Sequence, residues 1–273
     1  MKHAVVIFSK VPRAGVSKTR LTLKRGGILT EEEANEFYEA FLADVIHACA
    51  GAAPDLYLCH DAAGDANYLD QYLKCISAPP ELKIYCDNGG AFDQCMQFGA
   101  DYIIKNGTAD RLADTVTIVS GDLPSLQRSV ILDGLKKLEK LSAMPEGLAA
   151  ARNIPSAKGI GAAVIKGACQ KGGFSIIGFT CTTPFDFNGV FDNKGGITAL
   201  DMIVEKCADN KIPIGIVNQM QDVDVPQDLA SMVPNIMALE LAGKTDRSVS
   251  VPYYTINFIR KIRLMSIATA LGS

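Results

Sequence analysis

Two cations in one segment and carboxylates in two others are the residues of this chain best suited to chemistry. Lys18 and Arg20 stand in FSKVPRAGVSKTRL, shortly after Gly15. Asp122 stands in SGDLPSL and Asp224 in QDVDVPQDL. Lysine and arginine neutralise phosphate oxygens, and a hard divalent cation is typically held by one or two carboxylates together with substrate phosphates. These residue types predict a site for a polyphosphate chelated to Mg²⁺ or Mn²⁺.

The first segment does not follow the pattern of the ATPase phosphate loop. That loop needs a glycine immediately before Lys-Ser/Thr, so that consecutive backbone N–H groups wrap the phosphates. Ser17 stands where the glycine belongs. A loop that carries Gly15 and two cations directly after a strand is still a natural place for an anion. We therefore expect Gly15, Lys18 and Arg20 to bind the phosphates of a nucleotide.

Short apolar runs alternate with amphipathic ones along the first half of the chain. The runs rich in β-branched residues predict strands over 3–9, 55–60, 82–87 and 115–122. The amphipathic runs predict helices over 31–50, 64–75 and 91–107, and the regular pattern weakens after 128–141. This alternation is typical of a mostly parallel sheet covered by helices on both faces, a three-layer α/β/α sandwich. In such a sheet the ligand binds at the carboxyl ends of the strands, where the three segments lie.

The second half has a less regular pattern. It predicts strands over 161–167, 174–179 and 213–218, and a helix over 196–210. We expect a single domain over 1–243 and a tail over 244–273. The tail contains INFIRKIRLMSIATAL, residues 256–271, an amphipathic helix that would dock on the domain or on a sister subunit in a homodimer.

The composition narrows the class of protein. The chain has 273 residues, 48% hydrophobic and 21% charged, which is typical of a globular fold, and its net charge of -3 gives no general footprint for nucleic acid. Its eight cysteines include no C-x-x-C pair, so reduced thiols are expected. No apolar run approaches the ~18 residues of a membrane span. These features predict a cytoplasmic location.

Four segments in order resemble a known superfamily. VIFSKVPRAGVSKTRL, VSGDLPSL, KGGFSIIGF and DVDVPQDL are similar to the motifs of bacterial nucleotide-diphospho-sugar transferases with the glycosyltransferase-A fold. Within it the chain is most similar to the selenodomain-associated transferases, and more distantly to molybdenum cofactor guanylyltransferase and phospholactate guanylyltransferase. The resemblance covers roughly residues 3–232. It implies a glycosyltransferase-A-like fold, with Asp122 as a catalytic metal ligand and Asp224 as a second ligand.

Each of these acids also has a structural interpretation. Asp122 could cap a helix that begins just after it, and Asp224 satisfies the pattern of a capping box. Asp222 shares a face with Asp224 if that segment is extended. Asp228 has the position of a first-turn helix charge.

The chain departs from the superfamily pattern at Lys171. Relatives have Asp-Gly-Gly-Tyr where this chain has Lys-Gly-Gly-Phe, and the loop is expected to face the acceptor. The leading hypothesis is metal-dependent transfer of a nucleotidyl or glycosyl group, from a nucleotide triphosphate or nucleotide-sugar, to a small-molecule acceptor. One alternative is a nucleotide-binding protein without turnover. Another is an interaction scaffold assembled through the tail.

Overall fold

The computed structural model describes residues 1–52, 55–192 and 194–265. The strands in these ranges are β1 (His3–Ser9), β2 (Asp55–His60), β3 (Lys83–Cys86), β4 (Thr115–Ser120), β5 (Val164–Ala168), β6 (Phe174–Thr180) and β7 (Ile214–Ile216). The helices are α1 (Glu31–Ala50), α2 (Ala66–Cys75), α3 (Phe92–Ile104), α4 (Arg128–Ser142), α5 (Pro145–Ala150), α6 (Ala199–Asp209), α7 (Leu229–Gly243) and α8 (Tyr253–Ile262).

All of these strands belong to one sheet in the order β3-β2-β1-β4-β6-β5-β7. Among them, β6 alone runs antiparallel to its neighbours β4 and β5. The chain first builds the sheet outward from β1 to β3 and then returns to place β4 on the other side of β1. Ligands of open α/β sheets bind at such a reversal of strand order. The parallel register sets Phe8 beside Ser120, so the loops after β1 and β4 start at the same level.

Helices cover both faces of the sheet. The alternating side chains of β1 show the division, because Val5 and Ile7 pack in a core with α1, α2 and α4. Ala4 and Val6 pack on the other face, in a core with α3 and α6. The prediction of a three-layer α/β/α sandwich with a mostly parallel central sheet is confirmed.

A third cluster of buried side chains joins the loop after β1 to α1, α7 and α8. Phe258 of α8 stacks on Phe37 of α1 with 4.6 Å between ring centroids. Asp44 of α1 accepts hydrogen bonds from the first N–H groups of α8, those of Tyr254 at 3.1 Å and Thr255 at 2.8 Å. The apolar side of α8 is therefore buried against its own chain.

The tail helix is shorter than the sequence predicts. It ends at Ile262, and Arg263 adopts a left-handed conformation with φ of 55°. The N–H of Leu264 donates to the carbonyl of Ile259 at 2.9 Å, a six-residue closure typical of a helix terminus. The prediction of helix over 263–265 is wrong for this reason, and residues 266–271 of the predicted helix lie outside the described residues. Division of the chain at residue 243 stays a prediction.

No helix within the described ranges is both long and apolar enough to span a bilayer.

Candidate functional site

The loop between β1 and α1 is held by two buried leucines. Leu21 is fully buried and Leu29 is 2% exposed, and the N–H of Leu29 donates to the carbonyl of Leu21 at 3.0 Å. A Cβ atom on Gly27 would lie 2.1 Å from the Leu21 carbonyl oxygen, so this close approach requires glycine. Leu21 directly follows Arg20 in the chain, so its burial fixes the position of the backbone that carries Lys18 and Arg20.

Asp122 is positioned by a tight exit from β4. A Cβ atom on Gly121 would lie 2.8 Å from Cβ of Ser9, so β1 and the exit from β4 can approach this closely because the residue is glycine. The hydroxyl of Ser120 donates to the carboxylate of Asp122. Helix α4 begins only at Arg128, so the interpretation of Asp122 as a helix cap is wrong.

Asp222 and Asp224 come from the segment after β7. Between them, Val223 is fully buried, which turns both carboxylates to the opposite side. Gln170 fixes the segment by two reciprocal bonds: its Oε1 accepts from the Asp222 N–H at 3.0 Å, and its Nε2 donates to the Asp222 carbonyl at 3.2 Å. The shared face expected for the two aspartates is present.

The N-cap residue of the turn is Val225 and not Asp224, and the backbone there donates to Asp228. Oδ2 of Asp228 accepts from the N–H groups of Asp224 and Val225, both at 2.9 Å. The prediction of a capping box centred on Asp224 is wrong, because the chain turns back so that the later acid reaches these donors. The carboxylate of Asp224 is consequently available to Lys18 and Arg20.

Lys18 stands among three carboxylates. Its Nζ lies 2.7 Å from Oδ2 of Asp122, 3.1 Å from Oδ1 of Asp224 and 3.6 Å from Oδ1 of Asp222. One carboxylate oxygen from each aspartate lies within 4.8 Å of the others. The Lys18 side chain is only 5% exposed. We call these four residues the Lys18 cluster.

The charges of the cluster shift one another's ionisation. Burial alone would lower the pKa of Lys18, but the three aspartates outweigh it and raise that pKa. Burial likewise opposes ionisation of Asp122, yet the Lys18 charge holds the pKa of Asp122 below its usual value. Burial, together with the charge of Asp122, raises the pKa of Asp222 to about 7. One lysine therefore does not fully compensate the three acids.

The donor set fits a hard divalent cation. All three candidate ligands are carboxylate oxygens, which Mg²⁺ and Mn²⁺ prefer. Oδ1 of Asp222 is buried and accepts no hydrogen bond from the residues that the structure describes, since Lys18 Nζ at 3.6 Å is too distant for one. A buried acceptor without a partner costs free energy, and a bound cation would satisfy it.

A cavity of about 350 Å³ opens directly beside the cluster. Asp222, Asp224 and Arg20 line it, and Nη1 of Arg20 lies 3.4 Å from Oδ2 of Asp224. Lys18 and Asp122 lie behind this lining and reach it through their contacts with Asp224 and Ser120. The structure thus brings together Lys18, Arg20, Asp122 and Asp224.

Gly15 is a further predicted site residue that lies outside the cavity lining. It has a left-handed backbone with φ of 76°, and a Cβ atom there would lie 3.7 Å from the carboxylate of Glu31. Its conformation serves the turn in which the Val16 and Ser17 N–H groups both donate to the carbonyl of Arg13.

The other side of the cavity is apolar. Four phenylalanines line it, which we call the aromatic wall: Phe8, Phe92, Phe174 and Phe191. Phe92 meets Phe8 and Phe191 edge to face, with ring centroids 5.7 and 4.6 Å apart. Phe174 lies 5.6 Å from Phe191. The cavity lining therefore combines charged and aromatic side chains.

Asp222 and the aromatic wall were not predicted from the sequence as parts of the site. The alternation Asp-Val-Asp was the available signal for Asp222, because an extended segment puts both acids on one face. The wall has no comparable signal, since its members come from four separated segments.

The chain belongs to the family described as "Uncharacterized protein conserved in bacteria (DUF2064)", whose model matches residues 45–193. A comparison with curated protein sequences finds no match.

Two solved structures share the fold along nearly the whole chain. One is a protein from Desulfovibrio desulfuricans G20 described as a "putative nucleotide-diphospho-sugar transferase". It is 20% identical, with a TM-score of 0.67, and the match covers 96% of this chain and 98% of the other. The second is a cytidylyltransferase from Leptospira borgpetersenii serovar Hardjo-bovis (strain JB197), 11% identical, with a TM-score of 0.50 and 100% of both chains covered. The resemblance to the nucleotide-diphospho-sugar transferase superfamily is confirmed at the level of fold.

Proposed function

We propose that this protein is a metal-dependent transferase that moves a nucleotidyl or glycosyl group from a nucleotide donor to a small-molecule acceptor. The observation that carries the proposal is the convergence of three aspartates and Lys18 beside a cavity, at the point where the strand order reverses. Two neighbours in fold are described as a nucleotide-diphospho-sugar transferase and a cytidylyltransferase, which favours the same class of donor.

The metal would be held by Asp222 and Asp224, which line the cavity, with Asp122 behind them as the third candidate ligand. When bound, Mg²⁺ or Mn²⁺ would neutralise charge on the diphosphate portion of the donor. Arg20 presents a planar fork at the cavity and would engage two phosphate oxygens. Lys18 balances part of the aspartate charge and supports the geometry of the ligands.

Two reactions fit these residues. In nucleotidyl transfer, an acceptor phosphate oxygen forms a bond to the α-phosphorus, and pyrophosphate leaves with the electron pair of the broken P–O bond. In glycosyl transfer, an acceptor oxygen forms a bond to the anomeric carbon, and a nucleoside diphosphate leaves with the electron pair of the broken C–O bond. If the attacking group is a hydroxyl, its proton passes to solvent or to a carboxylate. Positioning and charge neutralisation supply most of the acceleration in either case.

The products distinguish the two reactions. The purified protein is incubated with Mn²⁺, a panel of nucleoside triphosphates and nucleotide-sugars, and a panel of acceptors. Pyrophosphate as product would establish nucleotidyl transfer, and a nucleoside diphosphate would establish glycosyl transfer. Turnover should disappear with Asp224→Asn and persist with Asp209→Asn, which changes an exposed acid at the end of α6. Turnover that survives Asp224→Asn would refute the assignment of the site.

Lys171 favours one second candidate, a nucleotide-binding protein without turnover. Its loop lines the cavity where relatives carry an acid, so an acceptor hydroxyl would meet a cation instead of a general base. That candidate expects metal-dependent nucleotide binding with no product from any donor and acceptor. Recovery of turnover in Lys171→Asp, with wild-type nucleotide affinity, would support it.

A further inference from the structure

The aromatic wall indicates what kind of acceptor the cavity takes. Phe92 is the first residue of α3 and is 54% exposed, although it is a large apolar side chain at the cavity. Behind it, Met96 and Ile118 are each 2% exposed and complete an apolar lining. Burying this surface against a ligand would be favourable, with roughly 25 cal/mol gained per Å² of apolar area removed from water. The wall therefore favours an apolar group.

The hydroxyls closest to the wall are already engaged. Ser120 donates to the carboxylate of Asp122, and Ser175 donates to the carbonyl of Gly167 at 3.2 Å. Both serines line the cavity. A sugar placed here would exchange hydrogen bonds with water for contacts with phenyl rings, which costs free energy. A nucleobase would stack but would find no free side-chain hydroxyl here to read its edge.

Lys171 is a cation in the loop that leads into Phe174 of the wall. Lys171 is exposed, with a left-handed backbone at φ of 61°, and makes no ion pair within the part of the chain described. The neighbouring Gly172 fixes the loop, because a Cβ atom there would lie 2.4 Å from Cγ2 of Thr198 at the start of α6. Lys171 thus stands in a fixed loop of the cavity lining and offers a contact to an anion.

We propose that the aromatic wall forms the acceptor subsite, and that the acceptor is an anion carrying a flat apolar ring, of the class of aryl phosphates. The ring would pack against Phe92 and its neighbours, and the anionic group would contact Lys171. The role as acceptor rests on the transfer function proposed above. The binding preference follows from the cavity alone.

The probe is 2-naphthyl phosphate, titrated calorimetrically into the full-length protein without nucleotide or metal, with glycerol 3-phosphate as the matched polar ligand. We expect the naphthyl compound to bind more tightly, and Phe92→Ala to weaken it by roughly tenfold through lost stacking and burial. Tyr253→Ala is the matched control, because Tyr253 is also the aromatic first residue of a helix and is 65% exposed. It should leave binding unchanged.

Two results would overturn the subsite. One is equal or tighter binding of glycerol 3-phosphate. The other is a Phe92→Ala protein whose loss is in affinity for a Mn²⁺-nucleotide complex, with naphthyl phosphate bound as in wild type, which would assign the wall to the donor base. A different result would refute the transfer function and leave the subsite standing. In that case the wild-type protein would bind neither nucleotide nor Mn²⁺, while naphthyl phosphate would still bind Phe92→Ala more weakly than Tyr253→Ala.

Discussion

Asp44 and the Lys18 cluster are two places where this protein buries charge, and they are built in opposite ways. Asp44 is a single carboxylate with both oxygens bonded to backbone N–H groups at the start of α8. The Lys18 cluster gathers three carboxylates around one ammonium and leaves Oδ1 of Asp222 without a hydrogen bond. Asp44 lies between packed helices, whereas the cluster borders a cavity.

The difference separates structural from functional burial of charge. A helix N-terminus presents N–H groups and partial positive charge, so one carboxylate satisfies it and is satisfied by it. Three carboxylates around one lysine carry more negative charge than local hydrogen bonding requires. Holding these like charges together costs free energy. Such an excess is expected where a ligand supplies the missing positive charge.

The largest expected effect is at Lys18. Lys18→Met removes the cation buried with the three aspartates and should lower the free energy of unfolding by about 3–5 kcal/mol, as for other broken buried ion pairs. Urea unfolding measures the change. Lys24→Met is the control, because Lys24 pairs with Glu31 but is 74% exposed, and its loss should cost at most about 0.5 kcal/mol. Equal effects at the two lysines would contradict the account of the cluster.

Added Mn²⁺ sharpens this comparison. In Lys18→Met, bound Mn²⁺ would neutralise the aspartate charge that Lys18 neutralises in wild type. Mn²⁺ should therefore raise the melting temperature of Lys18→Met by more than that of wild type or Lys24→Met. Identical shifts in all three proteins would show that the metal, if bound, does not share the aspartates with Lys18.

At Asp44 the expected effect depends on pH. Burial raises the pKa of Asp44 to about 6 in the folded protein, against about 3.9 for an unfolded aspartate. Between these values the folded state binds more protons, so the free energy of unfolding should fall as pH rises from about 4 to 6, by up to about 3 kcal/mol. Asp44→Asn should flatten this dependence, whereas Glu146→Gln, at an exposed position, should retain it. Urea unfolding across this pH range is the test, and a slope unchanged in Asp44→Asn would contradict the interpretation.

A smaller effect is expected at Arg20, which is 69% exposed. Arg20→Lys replaces a planar fork by a point charge and should weaken nucleotide binding by roughly tenfold, the value of a charge-assisted contact. Arg25→Lys, in the same loop but outside the cavity lining, should leave the affinity unchanged. Fluorescence titration with a labelled nucleotide and Mn²⁺ compares the two. Equal affinities would remove Arg20 from the phosphate site.

The sequence predicts the sheet and its covering helices because local periodicity carries that information. Residues 3–9 alternate between two cores, and 31–50 follow a capping box at Thr30 and Glu33 that the structure shows. Order along the chain also indicates which loops follow strands. The sequence alone therefore predicts that Lys18 and Asp122 lie at one edge of the sheet.

Features that depend on distant contacts could not be predicted in the same way. The backbone N–H of Asp222 is held by Gln170, which lies 52 residues away in the sequence. The residues around Asp222 carry no pattern that predicts this contact. Val225 is the N-cap residue instead of Asp224, and Asp228 accepts the Asp224 N–H, because the path of the turn decides which groups meet. The tail helix ended early at Arg263 through a backbone conformation that side-chain periodicity does not encode.

Calorimetric titration of Mn²⁺ into wild type, Asp224→Asn and Asp44→Asn is the most direct test of the proposal that the Lys18 cluster is a metal site. Each variant replaces one carboxylate by an amide of the same size, so both lose one negative charge. The comparison therefore tests whether the position of that charge matters for Mn²⁺ binding. The account predicts one Mn²⁺ bound to wild type and to Asp44→Asn, with at least tenfold weaker binding to Asp224→Asn, which loses a direct ligand. Equal affinities of Asp224→Asn and wild type for Mn²⁺ would contradict it.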